Sequence, residues 1–143
     1  VKKAKKEADE KVVLTMTREQ ALVLEKACEA LARLHIGQFE MIPDVAMIGY
    51  DKGVDEYCRR REDARDALKL AACLIFGRNI YGQPDCSKNE LHHRAWMLYE
   101  VLRYTRAWHD NPDGDHFGVC YDKPMQWISG ETMPKCEIVD GGV

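Results

Sequence analysis

Residues 87–112 read SKNELHHRAWMLYEVLRYTRAWHDNP, and the fold turns on how this stretch is read. Ser87 followed by Glu90 is a capping-box pattern: the serine oxygen accepts from an orphan backbone N–H and the glutamate reaches back to the N–H of the cap. Asn111 and Pro112 mark the end, because the residue before a proline is pushed out of the helical region and the proline has no N–H to give. The span between them is predicted as one long helix.

At 100° per residue the helix has three kinds of face. Leu91, Ala95, Leu98, Leu102 and Thr105 form an ordinary core stripe. Met97, Val101, Tyr104 and Trp108 form a second apolar arc, set apart from the first by Arg94. A surface helix needs only one stripe, so the second predicts extra burial, either inside the fold or against another subunit. His92, Trp96, Tyr99, Arg103 and Arg106 lie within about 80° of one another as a ladder of rings and cations. Rings stack on nucleobases and guanidinium forks match phosphate oxygens, so the ladder is a candidate ligand face. The same pattern also describes a plain boundary between core and solvent, with rings half buried and charges snorkelling outward.

The rest of the chain is arranged around this helix. Residues 1–11, VKKAKKEADEK, are mostly charged and read as a solvated tail, and residues 12–143 read as a single domain. Val12 to Met16 is a β-branched and apolar run, predicted as a strand. The sequence TREQ from Thr17 is another capping box, opening a helix that runs to about Ile36 and stops at Gly37. Val23, Leu24, Ala27, Cys28, Leu31 and Leu34 give that helix one broad apolar face, with Arg33 pointing away and His35 at the edge. Residues 38–53 are irregular, broken by Pro43 and two glycines, and read as a connection. Val54 to Phe76 returns to helical period, with Tyr57, Ala64, Leu68, Ala71 and Ile75 on one face and Gly77 as the stop. Arg61 falls on that apolar side and needs an anion, either a structural carboxylate or a ligand phosphate. Lys135 to Val139 is predicted as a strand that pairs with Val12 to Met16. The expected fold class is therefore α+β, with three long helices and a small antiparallel sheet formed by the terminal segments.

Composition narrows the function. The chain has 143 residues, 45% hydrophobic and 31% charged, with a net charge of −3, so it is globular and ill suited to coating duplex nucleic acid. Six cysteines without a CxxC pair predict reduced thiols, and no run of 18 apolar residues or signal-peptide pattern appears, so a soluble intracellular protein with no membrane partner is expected. His109, His116 and Cys120, with His92 and His93 nearby, invite a metal reading, but their spacing matches no common zinc pattern and no metal or other cofactor is assigned. No GxSxG-type elbow is present, and Asp110, Asp113 and Asp115 sit in a turn where aspartate is favoured for local hydrogen bonding, so catalysis is the minority reading.

A non-catalytic binding protein fits better. Trp96, Tyr99 or Tyr81 would stack on a base, Arg103, Arg106, Arg94 or Arg78 would take phosphate, and Asn79 or Asn89 would meet base or ribose edges. The glycine loop GRNIYGQPD brings Arg78, Asn79 and Tyr81 to the N-terminus of the long helix, where anions are favoured. Compact cyclic nucleotides suit such a site because little ligand entropy is lost on capture.

The segments LARLHIGQFE, LYEVLRYTRAWHDNP and SGETMPKCEI together resemble small bacteriophage-encoded proteins, and within them the first Thoeris anti-defence sponge family. The resemblance covers the chain from about Val12 onward. It implies an α+β homo-oligomer in the host cytoplasm that binds cyclic ADP-ribose isomers, and in some members cyclic oligonucleotides, without cleaving them. It also implies a site near a subunit interface, and Arg33, Tyr81, Asn89, Arg103 and Arg106 agree with that pattern in type and order. The arginine spacing along the long helix departs from it, and His109 stands where another cation would be expected. Two rivals remain: a phage inhibitor that binds a host protein through Met97, Val101, Tyr104 and Trp108, and a metal-dependent nucleotide-cleaving enzyme using His109, Asp113 or His116.

Overall fold

The computed structural model describes residues 12–46, 53–77, 89–114 and 118–139. Of these, 68% are helical and none is in a strand, so the expected α+β fold is corrected to an all-helical one among the described residues. Four α-helices are present there: α1 (Arg18–His35), the short α2 (Ile42–Ala46), α3 (Val54–Phe76) and α4 (Glu90–Asp110). Two 3₁₀ turns, Phe39–Met41 and Val119–Tyr121, complete the regular structure of the described residues.

The terminal strands fail for a physical reason. Val12 and Val13 are almost fully exposed, Val139 is largely exposed, and no backbone hydrogen bond joins the two segments. A lone pair of short strands with no third strand or helix beneath it is marginal in water. The C-terminal run packs along α4 instead, where the Thr105 hydroxyl donates to the Cys136 carbonyl.

Local signals account for most helix ends. The Thr17 side chain accepts from the Gln20 N–H, and Gln20 Oε1 accepts from the Thr17 N–H at 2.8 Å, closing the predicted capping box. At the other end Gln38 N–H donates to Arg33 O and Gly37 N–H to Leu34 O, a Schellman stop with Gly37 left-handed. Gly77 ends α3 in the same left-handed conformation. Pro43 does not break residues 38–53 as expected; it sits in the first turn of α2, where a missing N–H costs nothing. The start of α4 is likewise shifted. Asn89 is its N-cap, accepting from His92 N–H at 2.9 Å, while Ser87 lies outside the described residues. The predicted stop holds: α4 ends at Asp110, before Asn111 and Pro112.

The α1–α4 pair dominates the packing. The helices run antiparallel and are pinned along their length by Arg18–Asp110, Glu25–Arg106, Ala32–His92 and His35–Asn89. Small residues let them approach: Ala32 and Ala95 are buried at the seam. α3 packs on the 3₁₀ turn and on α2, with Phe76 edge-on to Phe39 at 5.9 Å, and lays no long face along α1 or α4. The anion for Arg61 is the structural carboxylate of Asp44.

The second apolar arc of α4 finds its cover within the chain. Met97 and Val101 are buried, Trp108 meets Tyr121 edge-on at 5.2 Å, and His93 stacks on Trp127 at 5.8 Å. Residues 118–139 thus act as a strap over this arc, tied down by Arg94 to Glu131 and by Glu100, which accepts from Met125 N–H and Trp127 Nε1–H. Neither a second subunit nor a host protein is needed to bury Met97 and Val101.

Candidate functional site

The ladder of rings and cations on α4 lies along the α1–α4 seam. His92 is 5% exposed, and its Nδ1 donates to the Ala32 carbonyl at 2.8 Å. One turn on, His92 stacks against Trp96, with centroids 6.1 Å apart and planes 22° from parallel. Trp96 meets Tyr99 at 5.2 Å, and the Arg103 guanidinium sits 4.9 Å from the Tyr99 ring centroid. From α1, Arg33 reaches across to place its guanidinium 5.7 Å from the Trp96 centroid. Arg33, Trp96, Tyr99 and Arg103 therefore form one continuous run, two rings between two guanidiniums.

Each cation in the run is held differently. Arg33 is shared among Trp96, Glu29 at 3.1 Å and the Gln38 side-chain oxygen at 2.8 Å. Arg103 donates to the Tyr99 hydroxyl and to the Val119 carbonyl, while its Nε is buried with no acceptor. A buried guanidinium N–H without a partner is costly. Arg106, a turn further on, is committed to Glu25 through two parallel hydrogen bonds of 2.8 and 3.0 Å, and Glu25 is 2% exposed. This fork raises the Arg106 pKa, and both of its carboxylate-facing donors are occupied.

The remaining predicted positions separate. Asn89 caps α4 and donates from Nδ2 to His35 Nδ1 at 3.1 Å, tying the helix start to the end of α1. His109 is exposed at the far end beside Asp110. Arg78, Asn79 and Tyr81 lie outside the described residues, as does His116. Among the described residues no three His, Cys, Asp or Glu side chains come together in a metal-binding group.

A groove of about 510 Å³ opens beside the ladder, which sequence reading did not foresee. Its walls are Lys26, Glu29, Arg33 and Gln38 from α1 and its C-terminal turn, Glu40, Met41, Asp44 and Val45 from the next two elements, and Arg65 from α3. Arg65 adds its charge beside Asp44, whose carboxyl is held below the usual range first by its hydrogen bond with Arg61 and then by the two arginine charges. Arg33 belongs to both features, lining the groove with the guanidinium that also covers Trp96. The signal missed in the sequence was long range: the groove exists only because α2 and α3 fold back toward α1.

The chain matches no protein-family model, no curated protein and no solved structure.

Proposed function

We propose that this chain is a non-catalytic phage anti-defence protein that sequesters a cyclic nucleotide immune signal, a cyclic ADP-ribose isomer or a cyclic oligonucleotide, in the host cytoplasm. The observation that carries the reading is the place of Arg33, a cation stacked on Trp96 at the wall of a nucleotide-sized groove. Ligand pockets commonly enclose about 300–1,000 Å³; Arg33 in the groove wall would meet a phosphate, and the half-buried Trp96 beside it, outside the groove's own lining, a base. Trp96 and the buried Tyr99 continue the run from Arg33 to Arg103, beyond the groove's own lining. Arg106 is outside this set because Glu25 already holds it. No helix among the described residues is long and apolar enough to cross a membrane, which agrees with a ligand met in aqueous solution.

Sequestration needs no bond to break. Every molecule held is withdrawn from the host effector, so affinity and abundance set the outcome. Titrating the protein with cyclic ADP-ribose isomers and cyclic di- and trinucleotides while following tryptophan fluorescence tests the site. The expected result is saturable quenching by one class, weakened at least about 10-fold by Arg33→Ala, since charge-assisted contacts are the strong ones. Trp96→Leu is expected to weaken binding by the ~1–3 kcal/mol that base stacking supplies. Unchanged affinity in both variants would remove the ladder from the site.

A further inference from the structure

The groove beside α1 is lined by three cations and three carboxylates, and most of them already have partners. Glu29 accepts from Lys26 at 3.3 Å and pairs with Arg33 at 3.1 Å. Asp44 is held by Arg61, which stands outside the lining. Glu40 in the first 3₁₀ turn and Arg65 on α3 are left. Among the described residues neither side chain is in an ion pair or a hydrogen bond, although the Arg65 charge is felt at Asp44. Both are half-buried in the groove wall. Two groups of opposite sign with unused hydrogen-bonding capacity in one groove suit a ligand that carries both an anion and N–H donors.

The two groups differ in what they take. The Arg65 guanidinium offers only donors, in a planar fork that fits phosphate oxygens, and it stands on α3 while Arg33 stands on α1. A phosphate in the groove thus has a cation available from each helix. The Glu40 carboxylate offers only acceptors. Among the four RNA bases, guanine presents two adjacent N–H donors, N1–H and N2–H, on its Watson–Crick edge. Adenine and cytosine each set an amino group beside a ring-nitrogen acceptor, and uracil sets its N–H between two carbonyl oxygens. A carboxylate facing any of these three meets an acceptor, whereas guanine gives each of its oxygens a donor. Met41 and Val45 add apolar surface to the same wall, against which a base plane packs.

We infer that Glu40 is the specificity-determining residue of this groove and selects guanine, with Arg65 as a phosphate anchor alongside Arg33. The inference rests on the nucleotide reading of the groove given above and narrows it, from cyclic nucleotides at large to guanine-containing cyclic oligonucleotides. A cyclic ADP-ribose isomer carries adenine alone and leaves the Glu40 carboxylate without its second donor.

Isothermal titration calorimetry of the full chain with cyclic diguanylate, cyclic diadenylate and cyclic ADP-ribose tests this inference. The expected result is tighter binding of the diguanylate by roughly 10-fold or more, the scale of discrimination that a bidentate base contact gives. Glu40→Gln turns one acceptor into a donor and is expected to bring the two dinucleotides within about 3-fold of each other, by loss of that contact. Arg65→Ala is expected to weaken both dinucleotides alike, because a phosphate contact carries no base information. Equal binding of diguanylate and diadenylate by the wild-type chain would overturn the inference while leaving the nucleotide reading in place, and so would a guanine preference that survives Glu40→Gln. Binding of none of the three ligands would remove the inference and the nucleotide reading together. The wild-type ratio keeps the test decisive if a variant fails to fold.

Discussion

Glu25 and Arg106 show how one side chain can be read in two ways from sequence and in only one from structure. On the helical wheel Arg106 is the last rung of a cationic ladder; in the fold it holds a carboxylate that is 2% exposed. Removing one partner of a buried pair leaves an uncompensated charge, so Arg106→Ala is expected to cost about 3–5 kcal/mol in urea unfolding. Arg33→Ala, from a part-exposed pair with Glu29, is expected to cost no more than about 1 kcal/mol. That contrast separates the structural arginine from the binding one. Cysteine chemistry gives another check. Cys28 is buried and burial raises its thiol pKa, whereas Cys58 is exposed, so alkylation followed by mass spectrometry is expected to label Cys58 readily and Cys28 only on unfolding. Asp44 sets a pH dependence. Its pKa is depressed in the folded state by Arg61, so its contribution to stability is complete above the unfolded value near 3.9 and fades as pH falls through the lower folded one. The pair is part exposed, so the effect is small and screened by salt, and Asp44→Asn is expected to flatten that part of the acid limb.

At the scale of elements, helices were legible and strands were not. Thr17, Gln20, Gly37, Gly77 and Pro112 mark helix ends through local hydrogen bonding and backbone sterics, which a sequence states directly. Val12–Met16 and Lys135–Val139 have the composition of strands, but a strand exists only if a partner edge reaches it, and the C-terminal run is drawn onto α4 instead. For the same reason the strap of residues 118–139 was hidden, because its grip comes from pairs far apart in sequence such as Arg94–Glu131 and Glu100–Trp127. The faces of α4 were legible as three arcs, but which arc met α1 was not, since periodicity does not say where a neighbour lies. Gly37 links two elements and offers a test. Gly37 and Gly77 both have positive φ, so alanine at either is strained by roughly 1–2 kcal/mol. A Cβ on Gly37 would also stand 3.1 Å from the Phe76 ring, while one on Gly77 meets open space. Thermal unfolding is therefore expected to show the larger loss for Gly37→Ala, accompanied by loosening of α3; equal losses would mean that the Phe76 contact moves aside freely.

For the whole molecule, Arg33 is the link between features, joining the ring ladder of α4 to the groove beside α1. Of the predicted ligand residues, Arg33, Trp96, Tyr99 and Arg103 come together in space, Asn89 and Arg106 hold α4 to α1, and His109 lies at the exposed end. The sequence carried the residue types of the ladder, but not the groove, which needs four elements to close around it. The most direct test of the sequestration reading is to incubate the pure protein with cyclic ADP-ribose isomers and cyclic di- and trinucleotides, remove unbound ligand, denature by heat and identify what is released. Release of one intact signal molecule, in proportion to protein and reduced by Arg33→Ala, is the expected result. Ligand recovered wholly in the unbound fraction, or released only as a cleaved product, would contradict it.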